Sequence, residues 1–180
     1  TTLYSTCWSF SPNGNYIVVS VVYELAAYAP EQDPTLNHGS GSLLVILDVQ
    51  GTIQAIIGQP DGENTLWSQD CPGWQADEQA IVFWASGSER NYIMRYSLPD
   101  QQLTTLSELK PWPAIESSVN TPLIPTSDGT YVAFTVSDLF SGDRQVVVLY
   151  PDGEIRFIPS PYRFGLYPLW VPPLNDPSPE

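Results

Sequence analysis

A chain of 180 residues, 42% hydrophobic and 12% aromatic, can bury the core of one domain. Twenty acids against six bases, with Lys110 the only lysine, give a formal net charge of −14. That balance excludes the clustered cations that grip nucleic-acid phosphates or anionic membrane surfaces. Its plain role is to keep a β-rich surface soluble and its edges unpaired.

Thr1-Thr2-Leu3 runs straight into a strand pattern with no apolar leader, as a mature or trimmed chain would. No apolar run reaches the roughly 18 residues of a membrane-spanning helix. Further along, one phrase recurs: an aromatic residue or proline, a few spacers, a turn dipeptide, then a β-branched run. It reads Phe10-Ser-Pro-Asn13-Gly14-Asn-Tyr-Ile-Val-Val, Trp74-Gln-Ala-Asp77-Glu78-Gln-Ala-Ile-Val-Phe and Pro125-Thr-Ser-Asp128-Gly129-Thr-Tyr-Val-Ala-Phe. A fourth copy begins at Pro168-Leu-Trp170-Val-Pro172 and stops. Trp74 to Trp170 is 96 residues, two units of 48, whereas Phe10 to Trp74 is 64. An insertion of about 15 residues between Glu24 and Gly41 restores the period, and long loops of this kind are usually functional or disordered.

Each unit contains four short strands. Turn dipeptides separate the first two (Asn13-Gly14, Asp128-Gly129) and the last two (Gln50-Gly51, Pro99-Asp100, Pro151-Asp152-Gly153). Asn-Gly and Asp-Gly tolerate positive φ at both central residues, which suits a hairpin. Leu43-Leu-Val-Ile-Leu and Val146-Val-Val-Leu-Tyr are apolar on both faces, as strands sandwiched between neighbours are. No long segment carries a helical apolar stripe; Tyr23-Glu-Leu-Ala-Ala-Tyr ends at Pro30. The fold class is all-β. Four-stranded units of this period stack radially as a partial β-propeller, with about three blades and the first strand of a fourth.

Trp8-Ser-Phe-Ser-Pro-Asn-Gly, Pro72-Gly-Trp-Gln-Ala-Asp and Thr126-Ser-Asp-Gly-Thr-Tyr-Val-Ala-Phe resemble the Pro-x-Trp-Ser-Pro-Asp-Gly repeat of TolB-type, WD-repeat-like propellers. The likeness covers residues 3 to 172. The copies are degenerate: Glu78 stands where the family has glycine, and Pro125 stands near the tryptophan position. Blades fall at about 3–58, 66–107 and 119–158, a fourth starts at 166–172, and residues 173–180 form a proline-rich tail. The resemblance implies periplasmic or extracellular binding domains and the propellers of some peptidases. Scarce lysine and abundant Trp, Tyr, Pro and Gln lean the same way, towards an extracytoplasmic setting.

Cys7 and Cys71 occupy equivalent repeat positions. Such positions on neighbouring blades usually lie further apart than the ~4.4–6.8 Å Cα separation of a disulfide. Two buried thiols are the favoured reading, and a Cys7–Cys71 disulfide is the alternative that an oxidising compartment supports.

No catalytic constellation stands out. His38 is the only histidine, and Gly39-Ser40-Gly41 lacks the nucleophile elbow of a serine hydrolase. One His and two separated Cys do not make a zinc site. Asp61-Gly62-Glu63-Asn64 and Asp138 with Asp143 follow no calcium-loop spacing and read as solvated turns. Among twenty acids some pair suited to glycoside cleavage arises by chance. No phosphate-cradling glycine loop precedes a helix. No metal or other cofactor is expected.

Aromatics outside the strands are the better binding candidates, because Trp and Tyr dominate interface hot spots. Trp67, Trp112 and Tyr28 qualify, together with Glu24, Glu31, Asp33 and His38 of the inserted loop. They could equally be lids packed on the blade ends. Three blades cannot close a ring, so each end blade is expected to expose an apolar face. Further blades, a second copy or other proteins would cover it. The expected function is a non-enzymatic protein-binding or scaffold propeller within a larger assembly, homo-oligomeric or mixed. The alternative is the propeller of a prolyl-oligopeptidase-like hydrolase whose catalytic domain lies elsewhere. A calcium or carbohydrate module is the third reading.

Overall fold

The β-branched and aromatic runs form strands, and the turn dipeptides between them reverse the chain, so each unit folds as an antiparallel meander. A computed structural model describes residues 2–24, 40–58, 68–86, 91–109, 123–126, 128–137 and 144–158. Sheet one contains β1 (Thr2–Phe10), β2 (Tyr16–Glu24), β3 (Ser40–Asp48) and β4 (Ile53–Ile57). Sheet two contains β5 (Ser68–Trp74), β6 (Ala80–Ser86), β7 (Asn91–Ser97) and β8 (Gln102–Leu109). Sheet three contains β9 (Ile124–Pro125), β10 (Val132–Ser137), β11 (Arg144–Leu149) and β12 (Ile155–Ile158). In every sheet the spatial order follows the chain order, and there is no helix among the described residues.

Register fixes which side chains share a face. Val18 pairs with Ile46, which pairs with Ala55, on one face of sheet one. Val18, Leu44, Ile46 and Ile57 from that face are buried against Trp74, Ile81, Phe83, Ala85, Met94 and Tyr96 of sheet two. The opposite face of sheet two supplies Val82 and Ile93, which pack with Leu123, Val132, Phe134, Val147 and Leu149 of sheet three. The three sheets are thus layered face to face in chain order, with one apolar seam between each pair.

Turn geometry repeats, with one difference from the sequence expectation. Positive φ appears only at the second residue of each dipeptide, Gly14 (75°), Gly51 (81°), Gly129 (70°) and Gly153 (82°), and not at the Asn or Asp before it. The loops exceed two residues. Each closes a type I-like turn, as in Gly14 N to Ser11 O (2.9 Å) and Gly129 N to Thr126 O (2.8 Å), before a left-handed residue rejoins the strand. Sheet two uses Glu78 (φ 59°) and Gln101 (φ 53°) at these positions.

The close approach of sheets two and three depends on Gly73, where β5 carries a bulge between Asp70 and Gly73. A Cβ there would collide with the backbone carbonyl of Leu123. Glu24 ends β2, pairing with Thr2 and Ser40, so the expected insertion leaves from the end of the β2–β3 hairpin. The inserted stretch itself, the fourth repeat at 166–172 and the proline-rich tail at 173–180 lie outside the described residues.

Candidate functional site

The outer face of sheet one is apolar from strand to strand. Register sets Trp8 beside Val19, Val19 beside Val45 and Val45 beside Ile56. The next row sets Phe10, Ile17, Leu47 and Ile53 side by side. Trp8 is 59% exposed and Phe10 60%, their rings meeting edge to face at 5.4 Å. In sheet two the equivalent residues, Trp74, Ile81 and Phe83, are covered by sheet one. Sheet one therefore presents the same kind of face with nothing described against it.

Sheet three ends differently from sheet one. On its far side Ala133, Thr135 and Val148 are buried. Arg156, which pairs with Val148, lies over the Tyr150 ring at 4.2 Å, and Tyr131 meets Tyr150 edge-on at 5.2 Å. Glu154 holds the Arg156 guanidinium at 2.7 Å, and its hydrogen bond and charge hold Arg156 above the ordinary arginine range. Ile158, paired with Val146 on this side, is 48% exposed, so the end is polar-tipped and covered only in part.

The seam between sheets one and two closes on a polar clamp. The Trp74 indole Nε1 donates to the Ser9 carbonyl at 3.1 Å, and Tyr16 stacks on the Trp74 ring at 5.9 Å. Glu78 reaches back to the β1–β2 turn. Its Oε1 accepts from Asn13 N at 2.6 Å and its Oε2 from Asn15 Nδ2 at 2.7 Å. Burial pushes the Glu78 carboxyl up, but hydrogen bonds from Ser11, Asn15 and Asn13 outweigh it and leave its pKa below the ordinary value.

Beside the clamp lies a cleft of about 450 Å³ lined by Asn15, Tyr16, Gln54, Glu78, Tyr96 and Gln101, among others. Gln54 Nε2 donates to Asp48 Oδ2 at 2.8 Å. Burial raises the pKa of the Tyr96 hydroxyl. The clue in the sequence is a double departure from the repeat: Glu78 and Gln101 stand where the other units have Gly14 and Gly129, and Gly51 and Gly153. The first departure is visible from the repeat alone. The second becomes meaningful only once both are seen at one seam.

Of the residues singled out from sequence, Tyr28, Glu31, Asp33, His38, Trp67 and Trp112 lie outside the described residues. Glu24 is placed through its backbone only. Cys7 is half-buried on β1; Cys71 lies on β5, and its side chain is outside the described set. No group of three or more His, Cys, Asp or Glu suited to a metal ion occurs among the described residues.

No family model and no curated protein sequence matches the chain. Solved structures do. TolB from Acinetobacter baumannii matches with a TM-score of 0.52 at 14% identity, over 91% of this chain and 33% of its own. The fold is a TolB-like partial β-propeller. The β-propeller domain of the Trilobed protease from Pyrococcus furiosus gives 0.53 at 13% identity, over 87% of this chain and 43% of its own. A prolyl endopeptidase gives 0.54 at 14% identity, over 90% of this chain and 23% of its own. The chain thus spans less than half the length of each of these propeller-containing chains. The fold is common to TolB and to propellers of peptidases.

Proposed function

We propose that this arc of blades is a non-enzymatic protein-binding or scaffold module, one part of a larger extracytoplasmic assembly. The observation that carries this reading is the open face of sheet one, where Trp8 and Phe10 stand 59% and 60% exposed over rows of Val, Ile and Leu. Contiguous apolar surface of this kind marks an interaction site. Covering about 400 Å² of it would contribute on the order of 10 kcal/mol, comparable with the stability of a whole domain. The occupant is a further blade, from the same parent protein or from a second copy, or another protein that offers an equivalent face.

A test changes the face and leaves the seams alone. Trp8→Ser with Phe10→Ser should abolish association and keep the melting temperature of the dilute, unassociated parent. Association that survives both changes refutes the reading.

The propeller of a prolyl-oligopeptidase-like hydrolase is the second reading, favoured by the likeness to a prolyl endopeptidase. The parent sequence separates the two. A downstream Gly-x-Ser-x-Gly with later Asp and His supports the hydrolase, and further repeats followed by a stop support the binder.

A further inference from the structure

Two turn positions that hold glycine in sheets one and three hold long polar side chains in sheet two. Glu78 replaces the residue seen at Gly14 and Gly129, and Gln101 the one seen at Gly51 and Gly153. Both keep the left-handed backbone, at φ 59° and 53°, which a side chain makes unfavourable. They are the two non-glycine residues at positive φ among the described residues, and both line the cleft between sheets one and two. Residues held in sparsely populated backbone regions cluster at ligand sites. Glu78 has a structural reason to be there, since it clamps Asn13 and Asn15. Gln101 has no hydrogen bond to a described residue, so the seam does not explain it.

We propose that this cleft binds an extended peptide segment of a protein partner, one that carries a basic side chain. The proposal rests on the reading of the chain as a protein-binding module, at a place separate from the open face. Its volume of about 450 Å³ falls within the range of ligand clefts. Four of the ten lining residues are amides, Asn15, Gln54, Gln79 and Gln101, and Gln79 Nε2 donates to the Asp77 carbonyl. Asn15 uses its Nδ2 on Glu78, and Gln54 its Nε2 on Asp48, which leaves the amide oxygens of these two lining residues as the groups with acceptor capacity to spare. Gln101 offers both a donor and an acceptor. Such a set complements the alternating N–H and C=O groups of a peptide main chain.

A saccharide fits less well. Tyr16 is stacked on Trp74, and Tyr96 is only 9% exposed, so neither offers an open ring for a sugar to lie on. Charge selects the side chain. No Lys or Arg lines the cleft, Glu78 is among its lining residues, and Asp48 at the end of β3 and Asp77 and Asp100 in the turns stand beside Gln54, Glu78 and Gln101. An anionic segment is repelled there and a basic one is drawn in.

The experiment is an amide-resolved NMR titration of the whole chain. The probe is an acetylated, amidated pentapeptide of glycine alternating with lysine and arginine, at millimolar concentration. Its acidic counterpart and maltose serve as comparisons. Saturable shifts of the Asn15, Gln54 and Gln101 side-chain amides with the basic peptide are expected. Gln101→Gly restores the repeat residue, so the variant should melt no lower than the parent and bind about fivefold more weakly, the loss of one hydrogen bond. Absent shifts at these amides, unchanged affinity in the variant, or an equal response to the acidic peptide or to maltose would overturn the proposal. Sedimentation reads the open face of sheet one independently of Gln101, so failure of one reading is distinguishable from failure of the other.

Discussion

Replacing Glu78 with the glycine that the repeat calls for should destabilise the protein, although it removes a strained residue. A non-glycine residue in the left-handed region costs roughly 1–2 kcal/mol, and glycine at this position would recover about that much. Against it stand the bonds from Asn13 N at 2.6 Å and Asn15 Nδ2 at 2.7 Å, both to a charged acceptor. Hydrogen bonds to charged groups are worth about 1.5–3 kcal/mol each. The Ser11 hydroxyl, in a residue only 4% exposed, also loses its acceptor. The net loss is about 2–4 kcal/mol, or roughly 5–15 °C of melting temperature for a domain of this size.

Glu78→Gln is the sharper control. It keeps the strained backbone and turns an NH2 group towards the Asn donors, so it should be at least as destabilised as Glu78→Gly. Urea and thermal melts followed by circular dichroism read the order. The pH dependence has a definite sign. Because the folded pKa of Glu78 lies below its ordinary 4.5, its stabilisation is present above that value and is lost as pH falls through the folded pKa. The difference between parent and Glu78→Gly should therefore shrink in acid. A Glu78→Gly variant that melts at or above the parent temperature would show that the clamp contributes nothing.

Other consequences follow from single positions. Gly73→Ala drives a methyl into the Leu123 carbonyl, a backbone atom that cannot swing away. A loss of more than about 3 kcal/mol in a urea melt is expected, the upper range for single substitutions. Trp74→Phe keeps the stacking surface for Tyr16 and loses the indole bond to Ser9 O, which should cost about 1 kcal/mol. Asp128 has its pKa lowered to about 2 by hydrogen bonds from Thr126 and Thr130. Its contribution is present above about 3.8, the ordinary value, and is lost as pH falls towards 2; Asp128→Asn should flatten that acid limb of the melting profile.

Strands and turns were legible in the sequence because they rest on local chemistry. The β-branched runs after Asn13-Gly14, Asp77-Glu78 and Asp128-Gly129 became β2, β6 and β10 in one repeating register. Positive φ falls at one turn residue and not two, because a loop longer than two residues needs it only at the glycine that closes the type I-like turn. The seams were harder to see. Glu78 was visible as a departure from the repeat, but its partners lie 63 and 65 residues away, a separation that no local pattern encodes. Gln101 carries no sequence signal of its own, because a single polar turn residue is ordinary until its counterparts, Gly51 and Gly153, are aligned in space. The two ends of the arc also looked alike in sequence. Alternating apolar residues predict two apolar faces, whereas the small Ala133 and the Tyr131, Tyr150 and Arg156 cluster make the third sheet end differently from Trp8 and Phe10.

Sedimentation velocity of the chain across a hundredfold concentration range tests the central claim most directly. The open face of sheet one should make the parent associate as concentration rises. Trp8→Ser with Phe10→Ser should sediment as a monomer at every concentration and melt where the dilute parent melts, since both side chains are more than half exposed before association. A parent chain that remains a compact monomer throughout, with one cooperative melt, would contradict the claim that this arc is built to be covered by another blade.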